Sequence, residues 1–534
     1  MIKSPIHTVR TTCKIGACEP YCGIEVDVQD GRMLAVRGDK EHPVSKGYLC
    51  VKGHNLLEYQ YDPDRLLHPE QRTADGFQRA DWSTATSSIG HELRRIADAY
   101  GPDSIASYWG NAADSSNIIL ALTTPGAFGS RNTYNVLSLE FTERGAVASR
   151  MYVDEGVMLQ PDADRTHHAL LLGTNPVATQ GMALLQRRPG IRGDLRAIQR
   201  RGGSLTVVDP RSTETTSFAD THLAIRPGAD LYLLVAMIGH ILRNDLYDSA
   251  FCDAHTTGVD EWRTITNHLS TEQAAAICGL DAAAITAEAE RLAAAPSAFV
   301  TTRVGVQTGP NTTVTEWAAA SLNAITGNVD RPGGMFFHGG ATVPANYLLD
   351  GLLRNNFTPS RLGDYPHIFG GLPATVLADD ILSDDPDRVR ALIVYAGNPV
   401  ISFPDTAKME AALERLELLV CFDIYRSDTG SFAHWNLPAA TQFEKSSMHF
   451  LTDKYDPRPR LEWKPQVVEP AGEARTEWDA MQEICAAAEA PFLNNPAIHA
   501  EVVEHLDRGE HYSDRTMYET ILPDGITLDE VINT

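Results

Sequence analysis

Apolar residues recur along this chain in short runs that end abruptly at glycine, asparagine or aspartate. The run Ala169–Leu172 stops at Gly173-Thr174-Asn175-Pro176, and the apolar segment SLTVV stops at Asp209-Pro210-Arg211. Continuous apolar runs of this length, bounded by turn residues, are typical of strands that are buried on both faces. The pattern therefore predicts a parallel sheet in an α/β protein.

The same pair of phrases recurs far along the chain. The segment RALIVYAGNPV ends at Gly397-Asn398-Pro399, and LELLVCFDIYRSDTG passes through Asp423 and Arg426. Gly173 and Gly397 are 224 residues apart. We interpret the recurrence as a pseudo-repeat of one unit, in which a strand, a glycine–asparagine–proline turn, a helix and a second strand lead to an aspartate.

Such a unit has the features of a nucleotide half-site. Parallel sheets bind ligands at the carboxyl ends of their strands, where a glycine lets the backbone approach a phosphate and an acid can bind a ribose or base. Two units favour two nucleotides. The chain contains no G-x-G-x-x-G, which disfavours an ordinary NAD or FAD site. The alternative is that both turns only belong to the α/β scaffold.

Other patterns predict the elements between and before the repeats. Alternating residues around Asp30-Gly31 predict a β-hairpin, and residues 82–100 have apolar positions at helical spacing, with Asp81 or Ser83 as cap. Ser104–Tyr108 reads as a strand that ends at Gly110-Asn111. Residues 335–390 are rich in glycine and proline and predict a long irregular segment that crosses between domains.

Half of the eight cysteines lie in the first fifty residues. Cys13, Cys18, Cys22 and Cys50 have the spacing C-x4-C-x3-C-x27-C, and the predicted hairpin would bring the third and fourth together. Four thiolates can hold a [4Fe–4S] cluster or a zinc ion. The remaining alternative is four small buried hydrophobic residues.

Length and charge restrict the function classes. A chain of 534 residues has room for three or four domains. The formal charge of −25 disfavours binding to nucleic acids or anionic membranes, because both require a basic face. No run of eighteen apolar residues predicts a membrane span, and the N-terminus has neither an apolar signal region nor a twin-arginine pair, so the expected location is the cytoplasm.

With these segments in place, the sequence resembles the molybdenum/tungsten bis-molybdopterin guanine dinucleotide oxidoreductases, the dimethyl sulfoxide reductase superfamily. The leading cysteines with HPVSKGYLCVKG and DPDRLLHP are similar to its iron–sulfur opening. The phrases LLLGTNP, VVDPRSTET, IRPGAD, SLNAITGNVDRPGG, IVYAGNP and NLPAATQFEK are similar to its cofactor-binding blocks, in the family's order.

The resemblance implies an α/β fold with a small β-rich iron–sulfur domain at residues 1–57. Two Rossmann-like αβα domains would follow, one at 58–140 with 335–534 and the other inserted at 141–334, each binding one guanine dinucleotide. The family usually continues into a C-terminal β-barrel domain, which is apparently absent here. Three alternatives stay open: the barrel is a separate polypeptide, the chain is truncated, or the cofactor is held incompletely.

The resemblance also assigns residues to the expected cofactors. Cys13, Cys18, Cys22 and Cys50 would bind the [4Fe–4S] cluster, although C-x4-C is one residue longer than usual. Lys52 would lie between cluster and pterin, unless it is an ordinary surface lysine. The two dinucleotides would use, in chain order, Asn111, Gly173, Asn175, Asp209, Arg211, Asp230, Gln307, Gly397, Asn398, Asp423, Lys445 and Glu477.

One family feature has no obvious counterpart. Members usually supply a cysteine, selenocysteine, serine or aspartate to the metal, and no cysteine lies between Cys50 and Cys252. The sequence register against the family points to Glu140, and Ser138 is the other candidate. A carboxylate is a suitable ligand for oxidised molybdenum. Alternatively, Glu140 and Glu143 are solvated helix residues and no side chain binds the metal.

The function that follows is two-electron redox or oxo-transfer chemistry on a small molecule at a Mo or W bis-dinucleotide centre. Electrons would leave through the [4Fe–4S] cluster to an electron-transfer protein or subunit. Two alternatives remain: a non-catalytic iron–sulfur electron-transfer subunit, and a zinc module on an α/β enzyme.

Overall fold

The computed structural model describes residues 4–14, 21–152, 159–180, 188–337, 341, 358–450 and 460–533. These residues form two compact units. The first contains the described residues up to Leu139 and those from 341 onward, and the second contains the described residues of Glu140–Gly339.

Eighteen strands lie in the described part of the chain. They are β1 His7–Cys13, β2 Cys22–Gln29, β3 Arg32–Gly38, β4 Glu70–Thr73, β5 Gly76–Arg79, β6 Ile105–Trp109, β7 Thr133–Asn135, β8 Gln160–Pro161, β9 His168–Leu172, β10 Ser204–Val208, β11 Thr221–Leu223, β12 Ala298–Thr302, β13 Met335–Phe336, β14 Ala391–Tyr395, β15 Leu418–Asp423, β16 Trp435–Pro438, β17 Ser447–His449 and β18 Glu462–Lys464.

The α-helices of the same residues range from single turns to five turns. They are α1 Val51–His54, α2 Leu56–Gln60, α3 Trp82–Tyr100, α4 Ser115–Ala127, α5 Thr142–Met151, α6 Pro176–Thr179, α7 Ile191–Arg200, α8 Asp230–Arg243, α9 Ser249–His255, α10 Val259–Thr266, α11 Thr271–Cys278, α12 Ala282–Ala294, α13 Val304–Gln307, α14 Thr312–Ile325, α15 Ala374–Leu382, α16 Pro399–Ser402, α17 Thr406–Glu414, α18 Glu477–Ala487, α19 Pro496–Asp507, α20 Arg515–Thr520 and α21 Leu528–Asn533.

The first unit begins with an antiparallel three-stranded sheet in the order β1-β2-β3. The predicted hairpin joins β2 to β3, and its turn residues Asp30 and Gly31 both have positive φ, at 51° and 72°. Two consecutive positive φ angles produce the tight turn that suits the twist of antiparallel strands. The hairpin prediction is confirmed.

A seven-stranded sheet forms the centre of the first unit, in the order β5-β4-β16-β15-β14-β6-β7. The five strands from β16 to β7 are parallel, and β4 and β5 add an antiparallel edge. All five parallel strands therefore present their carboxyl ends at one edge, the edge where α/β sheets bind ligands.

Alternate residues of these strands enter two separate cores. Ile393 and Val420 pack with α3 and α18 on one face, whereas Leu392 and Leu419 pack with α15 and α17 on the other. Burial on both faces explains why the strands read as continuous apolar runs. The predicted helix at residues 82–100 is confirmed as α3, whose cap is Asp81, which accepts a hydrogen bond from the Thr84 amide.

The second unit repeats this plan on a smaller scale. Its four-stranded sheet has the order β11-β10-β9-β12, and all three pairings are parallel. Leu170 and Val300 pack with α8 and α14 on one face, and Leu171 packs with α7 on the other. The mixed α/β fold with several sheets that the sequence predicts is confirmed.

One segment departs from expectation. Residues 335–390 were expected to be irregular, but Ala374–Leu382 form helix α15, whose Leu377 and Ile381 are buried beneath the seven-stranded sheet. The glycines of this segment and all of its prolines except Pro386 lie before this helix. No helix in the described ranges is both long and apolar enough to cross a membrane.

Candidate functional site

The antiparallel strands β1 and β2 place two of the predicted cluster ligands directly opposite each other. Cys13 ends β1 and Cys22 begins β2, and the two face each other across the antiparallel pair. Side chains of opposed residues lie about 5 Å apart, so both thiols share one face. Both are buried, and Cys50 stands immediately before α1 as its N-cap residue.

The donor chemistry of this region suits an iron–sulfur cluster, because thiolates are its usual ligands. The fourth predicted ligand, Cys18, lies outside the described residues. Without it, the described residues contain no group of three or more cysteine, histidine or acidic side chains that could hold a metal ion. The assignment of Cys13, Cys18, Cys22 and Cys50 to one cluster therefore stays a prediction.

Lys52 is exposed on the four-residue helix α1. Two other lysines lie close to Cys13: Lys14 directly follows it in the chain, and Lys464 is close enough for the two charges to interact. Lys14 donates through Nζ to the Ala113 carbonyl at 3.1 Å, and Lys464 donates to the Gln442 carbonyl at 2.9 Å. Burial lowers the pKa of Lys464 to about 7. The role assigned to Lys52 stays a prediction. No pattern in the sequence pointed to Lys464.

The first half-site is a cleft of about 920 Å³ at the carboxyl edge of the four-stranded sheet. Sequence reasoning predicted six of its lining residues: Glu140 precedes α5, Gly173 and Asn175 follow β9, Asp209 and Arg211 follow β10, and Asp230 begins α8. Parallel strands end at the same edge, so residues far apart in sequence meet there. A cleft of this volume accommodates a nucleotide-sized ligand.

Two glycines, Gly173 and Gly305, lie side by side in the wall of this cleft, and we call the pair its glycine floor. Gly173 follows β9 with φ +57°, and the Gly305 amide donates to its carbonyl at 3.0 Å. A Cβ on Gly173 would lie 2.6 Å from the Val306 nitrogen, and a Cβ on Gly305 would lie 2.8 Å from the Gly173 Cα. Neither position has room for a side chain, so the two loops can pack backbone against backbone.

Two aspartates face this cleft. The Asp209 carboxylate accepts a hydrogen bond from the Arg211 amide at 2.9 Å, which turns the chain after β10. Burial and the neighbouring charge of Asp209 raise the pKa of Asp230, which begins α8. Paired acids at strand and helix ends suit the hydroxyls and ring N–H groups of a nucleoside, because ionised carboxylates only accept hydrogen bonds.

Gln307 is placed differently from its prediction. It is buried, it is not among the residues that line the cleft, and its amide donates to Glu316 at 3.0 Å. Arg303, four residues earlier, lines the cleft instead. The rule that residues just after an apolar strand reach the ligand edge would have found Arg303, because it follows β12 directly.

The asparagines of the two repeats make equivalent hydrogen bonds within the protein, and we call each of these hydrogen-bonded asparagines a lock. The Asn175 amide donates to Glu214 at 2.7 Å and accepts from the Thr215 hydroxyl at 2.7 Å. Asn398 does the same with Asp428 at 2.9 Å and Thr429 at 2.8 Å. Each asparagine therefore ties the turn after one strand to the loop after the next.

These locks correct the alignment of the repeat. Asn175 and Asn398 are equivalent, so the counterpart of Gly173 is Ala396 and not Gly397. Backbone conformation agrees, because Gly173 and Ala396 both have left-handed φ angles, +57° and +47°. The expected pairing of Gly173 with Gly397 was wrong by one residue. The sequence pattern aligns the two glycines, whereas the backbone conformation aligns the two residues that have a left-handed φ.

The second half-site lies at the carboxyl edge of the seven-stranded sheet. Asn111 is exposed two residues after β6, and Gly397 follows β14. A Cβ on Gly110 would meet the Ala396 carbonyl at 2.5 Å, so glycine forms this floor too. Asp423 ends β15 and accepts hydrogen bonds from the amides of residues 424 and 425. Burial raises the pKa of Asp423 to about 6, although those amides oppose the shift.

Lys445 and Glu477 lie together, and Lys445 also contacts a residue that sequence reasoning missed. Lys445 lies 2.9 Å from Glu477 and 2.8 Å from Asp114, the cap of α4. Burial disfavours the charge of Lys445, but the two carboxylates outweigh it and hold its pKa above the ordinary value. Both acids already bind the ammonium, which makes this lysine part of the scaffold.

The two candidate metal ligands, Glu140 and Ser138, lie in different surroundings. Glu140 lines the first cleft. The Ser138 hydroxyl donates to the Asn135 carbonyl and accepts from the Ala374 amide, at 2.9 and 2.8 Å. Glu143, expected to be solvated in the alternative reading, is partly buried, and burial raises its pKa. The assignment of Glu140 to the metal stays a prediction.

Comparisons with known proteins agree on one family. Residues 65–487 match Molybdopterin oxidoreductase, and residues 6–62 match the Molybdopterin oxidoreductase Fe4S4 domain. The chain is 25% identical to an F420-dependent formate dehydrogenase alpha subunit of Methanocaldococcus jannaschii, covering 90% of this chain and 69% of that one. It is 26% identical to a nitrate reductase of Synechocystis, covering 93% and 72%.

Two further similarities extend this picture. A thiosulfate reductase molybdopterin-containing subunit of Salmonella typhimurium is 26% identical, with 91% of this chain and 65% of that protein covered. Acetylene hydratase from Pelobacter acetylenicus has the same fold, with a TM-score of 0.80 at 22% identity over 97% of this chain and 75% of that one. The two family matches together cover most of the sequence, and the chain belongs to the molybdopterin oxidoreductases with an Fe4S4 domain.

Proposed function

We propose that this chain holds a Mo or W ion through two guanine dinucleotides and catalyses a two-electron redox or oxo-transfer reaction on a small molecule. The observation that carries the proposal is the doubled half-site. Two parallel sheets each end in a glycine floor, an asparagine lock and an aspartate. A protein that bound one nucleotide would need only one such edge.

The residues present fit the group. Gly173, Asp209, Arg211 and Asp230 would hold one dinucleotide, with Asn175 fixing the loops around them. Gly397 and Asp423 would hold the other, with Asn398, Lys445 and Glu477 fixing the surrounding turns. We extend the proposal to the division into residues 1–57, 58–140 with 335–534, and 141–334, each of the last two binding one dinucleotide.

When bound, the cofactor would supply two-electron redox chemistry and the cluster would supply a one-electron relay. The chain's own residues bind and orient. The glycine floors admit the ligand to the backbone, and the aspartates accept hydrogen bonds from it. Glu140 is our candidate for a side chain that reaches the metal, because it lines the first cleft. Lys52 remains our candidate to lie between cluster and pterin.

We also propose an electron-transfer partner protein or subunit. Two of the similar proteins are themselves described as subunits, the formate dehydrogenase alpha chain and the thiosulfate reductase chain. A separate chain that supplies a C-terminal domain is a further candidate partner.

Metal and nucleotide analysis of the anaerobically purified chain tests the proposal. We expect about four iron atoms per chain, together with about one Mo or W and about two GMP released by acid hydrolysis. Iron without Mo, W or GMP would reject the enzyme in favour of an electron-transfer subunit, and zinc without iron would reject the cluster.

A pair of cysteine variants sharpens the iron measurement. Cys22→Ala removes a predicted ligand, so we expect iron and its absorption near 400 nm to fall strongly. Cys252→Ala is the matched control, because Cys252 is also buried but lies on α9 of the second unit and is not a predicted ligand. Equal iron in both variants would remove Cys22 from the ligand set.

A further inference from the structure

Arg303 is a buried arginine with unused hydrogen-bond donors. Its exposed fraction is 7%, and it lines the first cleft immediately after β12. Among the residues that the structure describes, its Nε and Nη1 atoms have no hydrogen-bond partner, and no carboxylate lies within ion-pair distance of its guanidinium. Within the described residues, the guanidinium carbon of Arg303 lies 5.3 Å from the centre of the Phe141 ring, which is a cation–π contact.

Such an arrangement is costly without an anion. A guanidinium is charged at every relevant pH, and a buried charge without a partner destabilises the fold unless a ligand supplies the opposite charge. The chain has 70 acidic and 45 basic residues, so acidic partners are abundant in the sequence. Arg303 nevertheless faces a cleft that the proposed function fills with a phosphate-containing ligand.

The second half-site has no equivalent. The Arg303 amide donates to the carbonyl of Leu172 at the end of β9, and the Gly110 amide donates to the carbonyl of Tyr395 at the end of β14. These two positions correspond in the repeat, so one half-site has an arginine where the other has only a hydrogen atom. The scaffold does not require a side chain here, which favours a role in ligand binding.

We propose that Arg303 binds a phosphate group of the ligand in the first cleft and that the two half-sites are therefore electrostatically unequal. This inference rests on the proposed function, because it takes the ligand to be a guanine dinucleotide. A planar guanidinium can donate two parallel hydrogen bonds to phosphate oxygens. Arg303 is a ligand-positioning residue in this account and has no role in the redox step.

Calorimetry on the full-length chain, produced without molybdopterin, tests the inference with GDP and guanosine as probes. We expect the wild-type chain to prefer GDP and Arg303→Met to lose about 10- to 100-fold of that preference, the range for charge-assisted hydrogen bonds. Arg303→Lys should retain part of it, because a lysine keeps the charge without the paired donors.

Thermal unfolding of the same cofactor-free chain separates ligand binding from a structural role. Arg303→Met should raise the unfolding temperature, since it removes an unpaired buried charge. Arg263→Met is the matched control: Arg263 lies on α10 in the same unit, 3.7 Å from Asp245, and its replacement should leave the GDP preference unchanged.

The possible failures are distinguishable. A lower unfolding temperature for Arg303→Met, or an undiminished GDP preference, would overturn the role of Arg303 while leaving the proposed function intact. A wild-type chain that binds neither GDP nor guanosine, and that carries no GMP when purified from a molybdopterin-producing host, would overturn both.

Discussion

Single residues at the two sheet edges carry unequal amounts of backbone strain. Gly173 and Ala396 occupy the same turn of the repeat and share a left-handed φ. For an alanine this conformation costs roughly 1–2 kcal/mol, whereas glycine adopts it freely. The second half-site therefore keeps a strained alanine where the first has a glycine.

Exchanging the residues at these two positions should have unequal effects. Gly173→Ala adds both the φ penalty and a Cβ at 2.6 Å from the Val306 nitrogen, so we expect it to lower the free energy of unfolding by at least about 2 kcal/mol. Ala396→Gly should change it by less than about 1 kcal/mol, because relief of strain is offset by a more flexible unfolded chain. Urea unfolding measures both, and a Gly173→Ala chain of wild-type stability would contradict the repeat alignment.

Asp423 should make stability depend on pH. Its pKa, raised by burial to about 6 from an ordinary 3.8, means that the folded state binds the proton more tightly than the unfolded state. Stability should therefore fall as pH rises from about 4 to about 6. Asp423→Asn should remove this fall and stabilise the cofactor-free chain at pH 7, on the order of 1–3 kcal/mol, but not at pH 4.

The control for Asp423 is Asp384→Asn, since Asp384 is fully exposed beside Arg415. Its effect on the unfolding midpoint should be small at both pH values. An Asp423→Asn chain with the wild-type pH profile would show that the Asp423 carboxylate titrates alike in the folded and unfolded states.

At the scale of elements, Lys445 connects three parts of the first unit. It joins the loop after β16 to the start of α4 through Asp114 and to the start of α18 through Glu477. Asn117 of α4 also donates to Glu477 at 2.9 Å. The two helix starts are thus fixed against the ligand edge of the sheet by one buried cation.

Lys445→Met should destabilise the protein by about 3–5 kcal/mol, because it removes the buried ammonium that both carboxylates contact. Lowering the pH should reduce the loss, since protonation removes the repulsion between Asp114 and Glu477. Lys408→Met is the control: Lys408 pairs with Asp379 at the surface, where such pairs contribute at most about 1 kcal/mol. Similar losses in the two variants, measured by denaturant unfolding, would refute the role assigned to Lys445.

At the scale of the whole molecule, the sequence predicted the architecture better than the contacts. Apolar runs and their end residues located the strands β9, β10, β14 and β15, because burial on both faces leaves a continuous signal. They also brought Asp209 and Asp230 to one cleft. The sequence signal that a residue follows a strand does not, however, reveal what its side chain binds.

This limit affects three residues whose protein partners the sequence did not reveal. Asn175, Asn398 and Lys445 were predicted to contact the cofactor, and their polar groups bind neighbouring loops and helices. Those partners lie 30 to 331 residues away along the chain, so only the fold brings them together. Their assignment to the cofactor remains a prediction, as does that of the four cysteines, because Cys18 lies outside the described residues.

The glycine floors have a consequence for the entropy of binding. Where Gly173 meets Gly305 and Gly110 meets Ala396, the surface under the ligand is almost entirely main chain. Main chain held by parallel strands has no rotamers to select, so a ligand that settles there freezes few torsions. Each edge is ordered when the sheet folds, and most of the entropic cost of shaping the site has been met before any ligand arrives.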